Sequence, residues 1–381
     1  MNKTTQIIIG IIVAIIILAG IWYGLSKKPT APTTKEPIKI GWIGPLTGGP
    51  AFLGENARLA AEFMVHKINE AGGVKGRKIQ VIFEDSQGDS KIAVNAAQKL
   101  INVDKVKVII TVISGDTLAV APIAETNKVV LIATNAAHPD ITKAGDYIFR
   151  VFPSDVVRGK LYASLINSHN VSKLALLIEN AAFTKGLADI FEKEYSTLGK
   201  QIAIKEFYEP NATDFKSQLL KIKDVKPEAI FLLVNSKQTA VIIGKQIKEL
   251  GIESKLFGTY IFLDRKLIQE NKDLFEGLIA LDVSQYIKTK ELIDEYEKFH
   301  NKKLQLSFFL ASYADVFNIL SKAIEKCGED PTCIKNFLYN VKEYDGELGK
   351  ISFDKNGDIV GVGYAEWQIT NGEPIEVRKL Y

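Results

Sequence analysis

Residues 112–125 read VISGDTLAVAPIAE, and within them Ser114-Gly115-Asp116-Thr117 stand where an apolar, strand-like run passes into a helix-like one. A serine beside a glycine at such a junction can act as a nucleophile or as a clamp for an anion. The nucleophile lacks its machinery: no glycine lies two positions before Ser114, as a G-x-S-x-G elbow requires, and no local base is evident. The clamp needs only the hydroxyl and the backbone N–H groups of a helix start, which hold negative charge unaided. Plain N-capping by Ser114 or Asp116 uses the same residues and stays open at this point.

Other chemistry-bearing residues are sparse. The four histidines are His66, His138, His169 and His300. Three fall in helical patterns with no ligand-spaced neighbour, while His138 follows the run VVLIA and is expected on a pocket wall. Gly41, Gly44 and Gly48 in GWIGPLTG do not make the G-x-G-x-x-G spacing of a dinucleotide turn, and Pro45 interrupts it. Asp354, Asn356 and Asp358 alternate as calcium ligands do, yet a calcium loop needs glycine sixth and glutamate twelfth; DKNGD fits a hairpin turn. Cys327 and Cys333 flank Gly328 and Pro331, residues of a turn between two helices, and can bridge in an oxidising compartment or remain thiols. A metal site there lacks further ligands. No cofactor is expected.

The positioning elements follow from periodicity. From Ile38, β-branched runs alternate with helical patterns: IKIGWIG with a helix near 55–71, KIQVIFED with one near 90–103, VKVIITVI with one from about 117. The rhythm restarts after Pro153 with KLALLIE, QIAIKEF and EAIFLLV and their helices. Repeated strand-helix units imply two parallel α/β sheets, with ligands held at the carboxyl ends of their strands. The 381 residues are 46% apolar, enough for two cores, and 48 basic against 45 acidic residues give +3 without a polybasic block. Nucleic acid is therefore not an expected partner.

Residues 7–24, IIIGIIVAIIILAGIWYG, form an uncharged apolar run spanning roughly 27 Å as a helix, about a bilayer core. No cleavage site follows it, so the run reads as an uncleaved transmembrane anchor, and residues 25–37, rich in proline, as an extended tether.

The segments IGPLTGGPAFLGENARLAAEFMVHKINEAGGVKGRKIQVIFEDSQGD, SGDTLAVAPIAE, YIFRVFPSD, NATDFKSQLLKIK, GKQIKELGI and GKISFDKNGD together resemble the branched-chain amino acid transporter family of substrate-binding proteins, the type I periplasmic binding proteins, from Ile38 to about Ile369. The resemblance implies two Rossmann-like lobes joined by three crossovers, residues 38–154 plus 285–345 forming lobe 1 and 155–284 plus 346–381 forming lobe 2. It implies an extracytoplasmic position, a small solute in the cleft and an ABC permease as partner, with no enzymatic activity. A ligand carboxylate falls to Ser114, with Gly115, Thr117 and the segment Asn135 to Ala137 around it, and Leu53, Phe183, Ser236 and Tyr260 complete the pocket.

Several of these positions depart from the family's amino-acid binders. Ala137 replaces a threonine and keeps only its N–H, Phe183 and Ser236 replace tyrosines, and Tyr260 replaces the glutamate that meets the ligand ammonium. A buried ammonium without a carboxylate is costly. An amide, a neutral polar solute or an organic acid is expected ahead of leucine, unless another acid such as Asp116 or Asp264 takes the charge. A tethered ligand sensor and, remotely, a nucleotide-dependent oxidoreductase are the competing readings.

Overall fold

Strand β1 (Ile38–Gly44) is buried at nearly every residue, as a strand must be when helices cover both faces of its sheet. A computed structural model describes residue 2, residues 36–283 and residues 290–380. The expected anchor at 7–24 and nearly all of the tether lie outside the described residues. Among the described residues, no helix is long and apolar enough to cross a membrane.

The first sheet joins β1, β2 (Ile79–Asp85), β3 (Val108–Thr111), β4 (Val130–Ala133) and β5 (Ile148–Arg150) in the order β2-β1-β3-β4-β5. All of its pairings are parallel. Its crossovers are the helices α1 (Ala51–Glu70), α2 (Ser90–Asn102) and α3 (Ser114–Thr126). Asp89 starts α2 by accepting from the Lys91 and Ile92 N–H groups. Trp42 in β1 is fully buried, and its indole N–H donates to the Tyr313 hydroxyl at 2.7 Å.

After β5 the chain enters α4 (Asp155–Ser168) and builds β6 (Leu174–Glu179), α5 (Ala182–Thr197), β7 (Ile202–Tyr208), α6 (Lys216–Asp224), β8 (Ala229–Leu233), α7 (Lys237–Glu249) and β9 (Lys255–Gly258). The short helices α8 (Arg265–Glu270) and α9 (Lys272–Phe275) lead to β10 (Ile279–Val283). Three helices follow: α10 (Lys290–His300), α11 (Ser307–Cys327) and α12 (Pro331–Tyr339), of which α10 and α11 pack on α1. Gly328, at φ 64°, ends α11, Asp330 caps α12, and Cys327 and Cys333 are joined in a disulfide across this turn.

The short strands β11 (Tyr344–Gly346), β12 (Gly349–Phe353) and β13 (Ile359–Val360) form a separate sheet around the DKNGD turn. The second large sheet has the order β15-β14-β10-β9-β8-β6-β7, where β14 (Tyr364–Thr370) and β15 (Glu373–Lys379) run antiparallel to their neighbours.

The small sheet is tied to the end of β5, near the expected division at residue 345. The Arg150 N–H donates to the Gly357 carbonyl, and the Arg150 guanidinium donates to Asp358, Thr142 and the His138 carbonyl. A fully buried arginine holds its partners tightly, so the DKNGD turn is fastened to the end of β5. The chain returns to the second sheet only with β14. Of the calcium-like acids, Asp354 accepts from the Asn356 and Asp358 N–H groups within the turn, and the Asp358 carboxylate is held by Arg150 and Thr142.

Candidate ligand cleft

The β3–α3 junction fixes Ser114 at the first position of its helix, behind a strand buried throughout. Among the described residues no side chain caps α3: Asp116 instead accepts from the Ser86 hydroxyl at 2.6 Å. The first-turn N–H groups therefore keep their polarity, as an anion clamp needs. Ser114 Oγ accepts from the Ala137 N–H (3.1 Å) and the His138 N–H (3.3 Å), which locks its rotamer. Its own proton remains to be donated.

Ser114, only 1% exposed, borders a cleft of about 270 Å³ lined from both sheets. Ser90, Ile113, Ser114 and Gly115 form one wall, while Glu179, Phe183, Asn235 and Ser236 form the other. Both sets sit at or just beyond the carboxyl ends of strands, the usual ligand position in such sheets. A second inter-lobe hollow of about 490 Å³ lies between Phe52 and Glu55 on one side and Lys237 and Asp264 on the other. There Lys237 pairs with Asp264 at 2.6 Å and stands 4.6 Å from the Phe52 ring.

Asn135 and Tyr260 line a smaller hollow of about 30 Å³, room for a water molecule. The Asn135 amide donates to the Tyr260 hydroxyl at 2.9 Å, a bond from one lobe to the other. Burial pushes the Tyr260 phenol up to about 12, so it stays neutral. Tyr260 packs 6.0 Å from Phe183, and the Arg158 guanidinium lies against Phe183, Phe152 and Tyr260 at 4.9, 5.2 and 5.9 Å. Arg158 is 1% exposed and donates to Asp155 Oδ1.

Ser114, Gly115, Phe183 and Ser236 thus share the cleft of about 270 Å³, and Asn135 and Tyr260 the small hollow. Ala137 supports the site from behind, its N–H engaged by Ser114 and its carbonyl by the Asp155 N–H. Thr117 is spent inside α3, where its hydroxyl bonds Thr111 and the Ile113 carbonyl. Leu53 is fully buried in the core of the first lobe. His138 does stand at the lobe boundary: a Cβ on Gly186 of α5 would come within 2.6 Å of its ring.

Of the two acids weighed as substitutes for the missing glutamate, Asp264 is committed to Lys237 and to the Leu267 N–H. Asp116 is 0% exposed and does not line the cleft. Sequence reasoning missed Glu179, Asp155 and Arg158. Glu179 carried a usable signal, an acid closing the apolar run LALLIE at the carboxyl end of a parallel strand.

A family model described as "Periplasmic binding protein" matches residues 37–370. The chain is 28% identical over 341 residues to the leucine-, isoleucine-, valine-, threonine- and alanine-binding protein of Pseudomonas aeruginosa, covering 87% of this chain and 90% of that one. Its fold is similar to that of the branched-chain amino acid transporter substrate-binding protein LivJ of Streptococcus pneumoniae, in complex with isoleucine. That match has a TM-score of 0.80 and 25% identity, and covers 90% and 99% of the two chains. A solute-binding protein of an ABC transporter from Rhodopseudomonas palustris, in complex with 3,4-dihydroxybenzoic acid, matches with a TM-score of 0.79 and 26% identity, covering 91% and 97%.

Proposed function

This chain belongs to the periplasmic binding protein family, and from that premise we propose that it captures a small polar solute between its lobes and delivers it to the permease of an ABC uptake system. The solute is an amino acid, an amide or an organic acid; amino acids and an aromatic acid are named for its relatives. The protein is a binder and carries out no chemical step.

One observation carries this reading. Ser114, whose hydroxyl proton has no acceptor among the described residues, borders a cleft walled by both lobes at the start of α3. Such a wall holds a carboxylate or carbonyl oxygen. Closing the lobes around it exposes a ligand-dependent surface to the permease.

Replacing Ser114 with alanine is expected to weaken solute binding by about 1–3 kcal/mol, the cost of an unmet buried hydrogen bond, with the fold retained. Calorimetry with amino acids, their amides and short organic acids measures this. Unchanged affinity in Ser114→Ala removes the clamp.

We further propose that residues 7–24 anchor the protein in the membrane with the binding lobes outside the cytoplasm. The support is an uncharged run of bilayer length followed by a polar, proline-containing tether. The full-length chain is expected in the membrane fraction after a carbonate wash. Its recovery as a soluble chain beginning beyond residue 24 refutes the anchor.

A further inference from the structure

Glu179 ends β6 on the wall of the cleft that faces Ser114, and it is only 5% exposed. Its Oε2 accepts from the Asn235 N–H at 2.9 Å and from the Tyr208 hydroxyl at 3.3 Å, so the carboxyl group is held in one orientation. Its Oε1 takes no hydrogen bond from the described residues, and the residue borders the cavity. No lysine, arginine or histidine is among the described residues lining that cavity. A carboxylate so placed has lost most of its water and gained no cation, and burial accordingly pushes it above the usual carboxylate range.

The opposite wall has the opposite polarity. Ser114 offers an O–H, and the first turn of α3 offers backbone N–H groups at the positive end of a helix dipole. A solute lying across the cleft therefore meets a donor wall at one end and an acceptor wall at the other.

We propose that Glu179 reads the second pole of the ligand: its free oxygen receives a protonated amine, so that the site selects solutes carrying an amino group at one end and a carboxylate or carbonyl at the other. The charge partner comes from the end of β6, while position 260, where the family's amino-acid binders place it, holds a tyrosine bonded to Asn135. A simple carboxylic acid is disfavoured, because it brings no donor to Glu179, and an ionised Glu179 can only accept. The proposal rests on the reading of this cleft as a solute site and narrows the class of solute.

Calorimetry on the whole protein with leucine, leucinamide, 4-methylpentanoate and benzoate tests it. The native protein is expected to prefer the amino-bearing solutes at least tenfold over their des-amino counterparts. Glu179→Gln, which keeps an acceptor for the Asn235 N–H but removes the charge, is expected to erase that preference. Glu179→Asp, which keeps the charge but retracts it, is expected to fall between.

If Glu179→Gln retains the full preference, or if the native protein binds 4-methylpentanoate or benzoate as well as leucine, the role of Glu179 is overturned and the cleft remains a solute site. Should none of the four solutes bind the native protein, the amino-group selectivity fails, and a wider panel of amides and short acids that also fails to bind overturns the solute-site reading with it. The native comparison stands even where a variant does not fold.

Discussion

Asp155→Ala is expected to destabilise the folded chain by about 3–5 kcal/mol, the cost of leaving a buried charge without its partner. Arg158 is sealed at 1% exposure against the faces of Phe152, Phe183 and Tyr260, and Asp155 Oδ1 accepts from both its Nε and its Nη2. The rings return part of that cost, about 0.5–2 kcal/mol where a cation is desolvated, which is too little to replace a carboxylate. Burial pushes Asp155 up to about 6, still below neutrality, so the pair is ionic at pH 7.

The pair also occupies the first crossover. The Asp155 N–H donates to the carbonyl of Ala137 in the other lobe at 2.8 Å, and the Arg158 stack reaches Tyr260, which bonds Asn135. The backbone bond survives in alanine, but through the Arg158 stack loss of the carboxylate should loosen lobe closure as well as the core. Denaturant unfolding measures the stability, and the double variant Asp155→Leu with Arg158→Met is expected to be more stable than Asp155→Ala alone, because nothing is then left unpaired. A loss of under about 1 kcal/mol in Asp155→Ala would show that water reaches the guanidinium and that the ion pair is dispensable.

Such groups explain what could and could not be read from the sequence. Runs like VIIT, VLIA and AIFLL are apolar at every position because both sheet faces are covered, and that pattern is visible without coordinates. Ser114 was visible for a related reason, since a strand-to-helix junction announces itself in composition. Arg158 was not: an arginine in the first turn of a helix normally faces water, and only three aromatic rings brought from positions 152, 183 and 260 bury it. The contact between the buried Arg150 and Asp358 was hidden likewise, because the two lie 208 residues apart. Glu179 lay between these cases. Its strand position was legible, but its orientation depends on the Asn235 N–H and the Tyr208 hydroxyl, which lie on neighbouring strands or loops.

The stability of the fold should fall as pH rises from about 4 to about 7, and Asp116→Asn should remove much of that fall. Asp116 is 0% exposed; one oxygen accepts from the Ser86 hydroxyl, and Oδ1 has no hydrogen-bond partner among the described residues. Burial pushes its carboxyl from the ordinary 3.8 up to about 7; the Ser86 hydrogen bond lowers it, while Asp85 and Asp89 raise it further. The sign follows directly. A folded-state value above the unfolded one means that the folded chain binds the proton more tightly, so the stability gained is complete below about 3.8 and is lost as pH passes through about 7. A shift of that size corresponds to about 4 kcal/mol at most between the two limits. Asp282, which burial also pushes up to about 7, adds its own slope in both proteins and leaves the difference between them intact. The protonated form matters to the cleft as well. Asp116 sits in the first turn of α3, and while it is neutral it does not cancel the positive helix end that Ser114 shares. Urea unfolding of native protein and Asp116→Asn at intervals from pH 4 to 8 is expected to give curves that meet near pH 4 and diverge by about 2–4 kcal/mol at pH 8, the native protein falling more steeply. Parallel curves would mean that Oδ1 is solvated and that Asp116 titrates as an ordinary carboxylate.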